Sequence, residues 1–251
     1  MNNKKVSILM LTHNAPIYVL KSILSIRKKT EGVDYELIIV DNNSKKLTRT
    51  ILQKLNQSSK KKKMIDTIFF NAQNSLFAGG NNLASTLAST TSSYYLLLNS
   101  DIKIKDKRWL ADLLNIHPDD GGISSYGAVL SEPYRADGYC MLIDRNLYNK
   151  YKLDEEFEWW WSITKLQSEV LRENKKIISV IFHENKLHHY GGKSGKDYRD
   201  AKGMNTDIED IKKWFSKGKV EFIDYLGPLT CTSYVSYKYQ SLLNSIKNMI
   251  K

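Results

Sequence analysis

The sequence predicts an α/β fold: a mainly parallel central sheet flanked by helices, with a helical extension at the C-terminal end. Three observations predict it. Tyr94-Tyr95-Leu96-Leu97-Leu98 is apolar or aromatic without alternation, the pattern of a strand buried on both faces. Up to that strand the chain alternates strand-like and helix-like stretches in the order β-α-β-α-β-α-β. Each of those strands runs into a polar stretch, and in parallel sheets ligands collect at the C-terminal ends of strands.

Lys5 to Leu11 is the first strand, followed by the turn Thr12-His13-Asn14-Ala15-Pro16. Pro16 suits the first turn of a helix reaching about Thr30, with Ile17, Leu20, Ile23, Leu24 and Ile26 as its apolar face. Tyr35 to Val40 is the second strand, ending in Asp41-Asn42-Asn43-Ser44. A helix from about Lys46 to Asn56 and a solvated lysine run, Lys60 to Lys63, lead to a third strand at Met64 to Phe70. Asn71 to Gly80 reads as a polar, glycine-bearing turn and Asn82 to Ser89 as a short helix. The Tyr94 strand then ends in Asn99-Ser100-Asp101, whose carboxylate suits a hard divalent cation. Alone, this motif reads better as a buried strand with a polar turn. The convergence of Thr12–Asn14, Asp41–Asn43, Leu76–Asn82 and Asn99–Asp101 on one sheet edge says more, because four polar tips make a nucleotide-sized site.

The second half is less regular. It predicts a helix at Trp109–Ile116, strands near Ile123–Leu130 and Tyr139–Ile143, and a helical turn at Leu147–Tyr151. A helix at Trp159–Glu173, a strand at Lys176–Phe182 and a glycine turn at Gly191-Gly192 follow. Lys165 and Glu169 are spaced to pair along the exposed helix face. Beyond Asp197 the chain is polar, then amphipathic, then rich in Tyr and Lys.

The 251 residues suit one large domain or one with a small appendage. Net charge is +11, which admits anionic partners: nucleotide diphosphates, nucleic acid or acidic lipid head groups. No nucleic-acid-binding motif accompanies the charge. The two cysteines, Cys140 and Cys231, lack a metal-ligand spacing, which argues against a zinc site or disulfide scaffold and fits a reducing, cytoplasmic compartment. No apolar run is long enough to span a bilayer, and the N-terminus enters a strand without the pattern of a signal peptide. Ile208, Ile211, Lys212, Trp214 and Phe215 form a basic amphipathic patch, compatible with peripheral membrane contact or with packing onto the main domain.

These motifs, in this order, resemble an inverting family 2 glycosyltransferase with the GT-A nucleotide-diphospho-sugar transferase fold. Val6 to Asn14 resembles the opening strand with its Thr-x-Asn, and Glu36 to Ser44 the second strand with its nucleotide-binding Asp. Asn74-Ser75-Leu76-Phe77-Ala78-Gly79-Gly80-Asn81-Asn82 resembles the stretch N-x-G-F-A-G-G-N-N, with Leu76 in place of glycine. Leu98-Asn99-Ser100-Asp101 resembles the D-x-D metal site, Asp137 to Ile143 the acceptor-side strand, and His188 to Ser194 the late His-Gly-Gly-x-Ser element. The resemblance covers about Lys5 to Ser194. It implies a catalytic domain at 1–196, with a nucleotide-binding half at 1–101 and an acceptor half at 102–196, followed by the extension at 197–251.

The resemblance also implies roles. Donor-side residues would be Thr12, Asn14, Asp41, Asn43, Ala78, Gly79, Asn82, Asn99 and Ser100, with backbone N–H groups near Ala78 facing phosphate. Asp101 and His189, or else His188, would hold Mn2+ or Mg2+. The partners would be a nucleotide-sugar donor and a glycan or lipid-linked acceptor, as in polysaccharide, glycolipid or glycoprotein glycan synthesis.

The departure comes at Leu153 to Ile163. Where the family carries a Glu-Asp pair, this chain has Ser162 and Ile163, and an isoleucine cannot take a proton. The substitute bases are Glu158, Asp137 and Glu156. Trp160 and Trp161 are candidates for stacking on an acceptor, and Trp159 for the core. Two alternatives follow: a catalytically impaired domain that binds nucleotide or acts as a scaffold, and a transferase acting on nucleic acid.

Overall fold

A computed structural model describes residues 4–57, 63–193 and 197–226. The first half is β1 (Lys5–Thr12), α1 (Pro16–Lys29), β2 (Tyr35–Asn42), α2 (Lys46–Asn56), β3 (Thr67–Asn71), α3 (Leu76–Thr86) and β4 (Ser92–Asn99). The chain continues through β5 (Ile102–Ile104), α4 (Trp109–Asn115), β6 (Gly122–Tyr126), β7 (Ala128–Val129), β8 (Arg135–Ala136), β9 (Cys140–Asp144) and α5 (Arg145–Tyr151). It closes with α6 (Trp160–Arg172), β10 (Lys176–Phe182), β11 (Leu187–His189), a 3-10 turn at Asp197–Asp200, α7 (Ile208–Trp214) and β12 (Glu221–Tyr225).

The main sheet has the strand order β12-β10-β6-β9-β4-β1-β2-β3. All its pairings are parallel except those of β9, which runs antiparallel to both β4 and β6. Because helices cover both faces, the continuous apolar runs divide by alternation. Val6, Ile8, Met10, Leu37, Ile39, Tyr94, Leu96 and Leu98 join the core on one face, with Ile23 of α1 and Trp109 of α4. Leu9, Ile38, Val40, Tyr95 and Leu97 join the core on the other, with Ala84 of α3, Tyr148 of α5 and Leu166 of α6. Fully burying each such side chain contributes roughly 1.5–3 kcal/mol.

The structure differs from the sequence reading in several places. Helix α3 starts at Leu76, within the stretch read as a turn. Its glycines serve close packing instead: a Cβ at Gly80 would overlap Leu11 Cδ1. Lys165 also departs from it: it pairs with Asp154 and lies over the rings of Phe157 and Trp214, while Glu169 pairs with Arg172.

Beyond Asp197 the described chain contributes one helix and one strand. Strand β12 pairs in parallel with β10 and so joins the main sheet rather than extending the chain as helix alone. Helix α7 turns its apolar side to the domain: Ile211 is buried, Phe215 packs on the core, and Trp214 meets Phe157 edge-on at 5.0 Å. The Tyr- and Lys-rich stretch after residue 226 lies outside the described residues, as do Ser194 and Cys231. No helix among the described residues is long and apolar enough to cross a membrane.

Candidate active site

The tips of β1, β2 and β4 and the start of α3 converge as the sequence suggests. Together they line a cavity of about 340 Å3 whose wall includes His13, Asn42, Leu76, Phe77, Asn99, Ser100 and Asp101. Trp159, Trp160, His189, Gly192 and Lys193 close it from the second half. A second cavity of about 260 Å3 adjoins it and shares Phe77, Asn99, Trp159, Trp160 and His189. Its own wall adds Arg135, Asp137, Tyr139, Ile163 and Thr164.

Asp101 and His189 meet because β5 and β11 form a two-stranded antiparallel ribbon with His189 opposite Ile102. The N–H of Tyr190 donates to the Asp101 carbonyl at 3.0 Å and extends that pairing. His189 Nε2 then stands 3.3 Å from Asp101 Oδ1, and the Tyr139 ring lies against the imidazole at 4.2 Å between centroids. The next residue back, His188, opposite Lys103, is exposed, so of the two histidines His189 is the one at the cleft. The left-handed turn at Gly191 and Gly192, with φ of 66° and 61°, brings Lys193 to the first cavity.

The Asp101–His189 pair fits a divalent cation. Neighbouring ligands of an octahedral ion at 2.0–2.1 Å stand about 3 Å apart, close to the observed spacing. A carboxylate with an imidazole suits Mn2+ better than Mg2+. No cluster of three or more His, Cys, Asp or Glu side chains is present among the described residues. Water and ligand oxygens would therefore complete the shell.

Several expected donor-side residues turn inward. Thr12 and Asp41 are completely buried. Thr12 Oγ1 donates to Asp41 Oδ1 at 3.1 Å, and the Ser44 N–H donates to Asp41 Oδ2 at 3.2 Å. Asp41 therefore ties strand tips together and does not reach either cavity. Asn14 is spent on Ser44 and Lys45, and Asn43 is exposed at a left-handed φ of 56° away from the cavities. Asn82 is a bolt: its amide donates to the Leu153 carbonyl and to Glu155, and its oxygen accepts from the Leu153 N–H and the Tyr148 hydroxyl.

The N-terminus of α3 is likewise closed to anions. Its four end donors all have partners: Ser75 N–H on Asn42 Oδ1, Leu76 N–H on Asn74 Oδ1, and Phe77 and Ala78 N–H on the Glu158 carbonyl. The expectation that N–H groups at Ala78 face phosphate fails because the loop before α6 occupies them, and Gly79 lies one position deeper in the helix. Asn99 and Ser100 do line the first cavity.

Among the candidate bases, only Asp137 lines a cavity. Glu158 accepts the Lys202 N–H at 2.8 Å, and Glu156 is exposed and pairs with Lys202 at 3.8 Å. Burial holds the Asp137 carboxyl above the usual carboxylate range, against the opposing pull of His189, Gly138 N–H, Arg135 and His183. Ser162 is buried and donates to the Trp159 carbonyl at 2.6 Å, whereas Ile163 forms part of the second cavity's wall.

Of the tryptophans, Trp160 is exposed and lines both cavities, and Trp159, read as a core residue, lines both as well. Trp161 lines neither; Arg135 lies over its ring at 5.4 Å. The sequence reading passed over His13, Phe77, Lys193 and Arg135 as site residues. For His13 the signal was its place between two selected neighbours: Nδ1 donates to the Asn42 carbonyl at 2.7 Å, which leaves Nε2 to accept from the Asn14 amide at 2.9 Å.

Comparison with known proteins points the same way. The family model described as Glycosyl transferase family 2 matches residues 7–184. No match is found among curated proteins. Among solved structures, S. aureus TarS 1–349 in complex with UDP-GlcNAc superposes with a TM-score of 0.52 at 16% identity, over 66% of this chain and 53% of that one. The Pyrobaculum calidifontis mannosyltransferase PcManGT in complex with GDP-Man and Mn2+ gives 0.58 at 12% identity, over 69% and 54%. GalNAc-T7 with UDP, GalNAc and Mn2+ gives 0.57 at 12% identity, over 70% and 42%. At these identities the likeness is one of fold, and the chain spans about half the length of these proteins or less.

Proposed function

Because the chain belongs to glycosyl transferase family 2, we propose that it transfers a sugar from a nucleotide diphosphate to an acceptor hydroxyl. The donor takes the first cavity and the acceptor the second. The observation that carries this reading is the pair of adjoining cavities, with the Asp101–His189 pair in the first and Asp137 in the second. The acceptor is a growing glycan or a lipid-linked sugar, in keeping with the family, and the catalytic unit is 1–196 together with β12, which completes its sheet.

Asp101 and His189 would hold the cation, Mn2+ by preference, which supplies positive charge opposite the departing diphosphate. Lys193 adds a second positive charge at the same cavity. Phe77, Trp159 and Trp160 form an apolar wall common to both cavities and keep water from the reacting carbon. Asp137 takes the proton of the acceptor hydroxyl. As it does so, the acceptor oxygen bonds to the sugar carbon and the carbon–diphosphate bond breaks on the opposite side, so configuration inverts. A base held above the ordinary carboxylate range by burial is the stronger proton acceptor.

A panel of nucleotide sugars assayed for hydrolysis with Mn2+ tests the reading and identifies the donor without an acceptor. Turnover of one donor is the expected result. Calorimetry showing no nucleotide diphosphate bound in the presence of Mn2+ would overturn it. A second reading, a domain that binds nucleotide without turnover, is favoured by Ile163 in the acceptor wall. Steady turnover by the isolated chain, lost in Asp101→Ala, rules that out.

A further inference from the structure

The acceptor cavity contains a guanidinium that the reaction above does not use. Arg135 lies in β8 and lines the second cavity beside Asp137, Val129, Trp160 and Ile163. It is partly buried, and one of its five N–H groups is accounted for: Nη1 donates to the Pro133 carbonyl at 2.8 Å. Its guanidinium carbon lies over the Trp161 ring, 5.4 Å from the centroid. Among the described residues no carboxylate stands within ion-pair distance of it. The acid of its own hairpin, Glu132, is turned to Lys212 at 3.4 Å. Asp137 acts on Arg135 only as a more distant charge, and burial pushes the guanidinium's pKa down.

Holding a cation in a partly desolvated wall without a counter-ion is costly, and it is a cost that a bound anion relieves. We propose, on the basis of the donor and acceptor assignment above, that Arg135 is the specificity determinant of the acceptor cavity. It selects acceptors that carry an anionic group, carboxylate or phosphate, near the reacting hydroxyl. The planar fork matches two oxygens of either group at once. The apolar neighbours Val129, Trp160 and Ile163 lower the local dielectric and strengthen that pair. Trp160 also offers a ring face to the sugar itself. A neutral sugar in the same place would leave the guanidinium unpaired and so bind more weakly.

The full chain, with UDP or GDP and Mn2+ present to fill the first cavity, is titrated by calorimetry with three probes: methyl glucoside, glucuronate and glucose 6-phosphate. The expected result is binding of at least one charged probe roughly ten-fold or more tighter than methyl glucoside. The better of the two identifies the anion as carboxylate or phosphate. In Arg135→Gln that preference should fall to within about three-fold, with nucleotide affinity unchanged. Arg135→Lys should restore part of it, since it keeps the charge and loses the fork. Equal affinity for all three probes in the native chain, or a preference that survives in Arg135→Gln, overturns the inference. Nucleotide binding without anion preference sinks this inference alone. Anion preference without nucleotide binding sinks the donor assignment and leaves this one standing.

Discussion

His189 Nε2 lies 3.3 Å from Asp101 Oδ1, although the two residues are far apart in the sequence. The β5–β11 ribbon sets this distance by register, and the Tyr139 ring packs against the imidazole at 4.2 Å between centroids, tilted by 30°. Asp101→Ala or His189→Ala should each cut turnover by about 100-fold or more, since even outer-shell changes at metal sites cost 10–100-fold. Calorimetry with Mn2+ and the nucleotide diphosphate checks this, and the melting temperature should barely move.

Asp137→Asn should lower kcat by about 10²–10⁴, the usual weight of a general base, and leave donor affinity intact. Glu158→Gln and Glu156→Gln should keep kcat within a few-fold, because both side chains face Lys202. Steady-state kinetics of the three variants separates them.

Asp41→Ala is expected to unfold the protein more readily without weakening nucleotide binding in what remains folded. It strips the Thr12 hydroxyl and the Ser44 N–H of their buried acceptor, at about 1–3 kcal/mol. Urea denaturation beside nucleotide calorimetry tells a structural carboxylate from a ligand-binding one.

Gly80→Ala places a methyl group into Leu11, which itself lines the first cavity. Overpacking of this kind costs about 1–3 kcal/mol. A lower melting temperature together with a raised KM for the donor is the outcome to look for.

Stability should fall on the acid side. Glu36 and Asp144 have carboxyl pKa values below their ordinary 4.5 and 3.8: burial pushes them up, but hydrogen bonds from Ser7 and Ser89 N–H, and from His117 and Gly122 N–H, outweigh it. For a carboxylate depressed on folding, the contribution is complete above the unfolded value and is lost as pH falls through the folded one. The urea midpoint should therefore drop as pH falls below about 4.5, and Glu36→Gln should flatten that decline while lowering stability at neutral pH. Denaturation curves from pH 7 to pH 3 measure both.

Much of the fold is legible in the sequence because its signals are local. Tyr94 to Leu98 and Tyr35 to Val40 announce buried strands by composition alone, and Lys176–Phe182 is a strand over the stretch expected. The error at α3 came from reading Gly79-Gly80 as a bend, when the glycine at 80 is there for what the helix touches on the sheet, Leu11 of β1. The strand β12 was missed because Glu221–Tyr225 reads as a strand only once β10 is beside it.

At the site, several residues that the sequence singles out line a cavity, and others, Thr12 and Asp41 among them, are held inside the fold. Thr12 and Asp41 look like ligands in a linear reading, yet parallel register sets them opposite each other, and they satisfy each other. Whether a polar side chain at a strand tip faces a cavity or a neighbouring strand depends on partners distant in the chain.

The sequence by itself determined the parallel α/β scaffold, the strand tips that meet at one edge, and the absence of a carboxylate at positions 162 and 163. Only the tertiary structure decided that Asp137, not Glu158, lines the second cavity, that the start of α3 is closed by the Glu158 carbonyl, and that Arg135 has no carboxylate within ion-pair distance among the described residues. Periodicity and composition are properties of neighbours along the chain. Desolvation, pairing and access to a cavity are properties of neighbours in space.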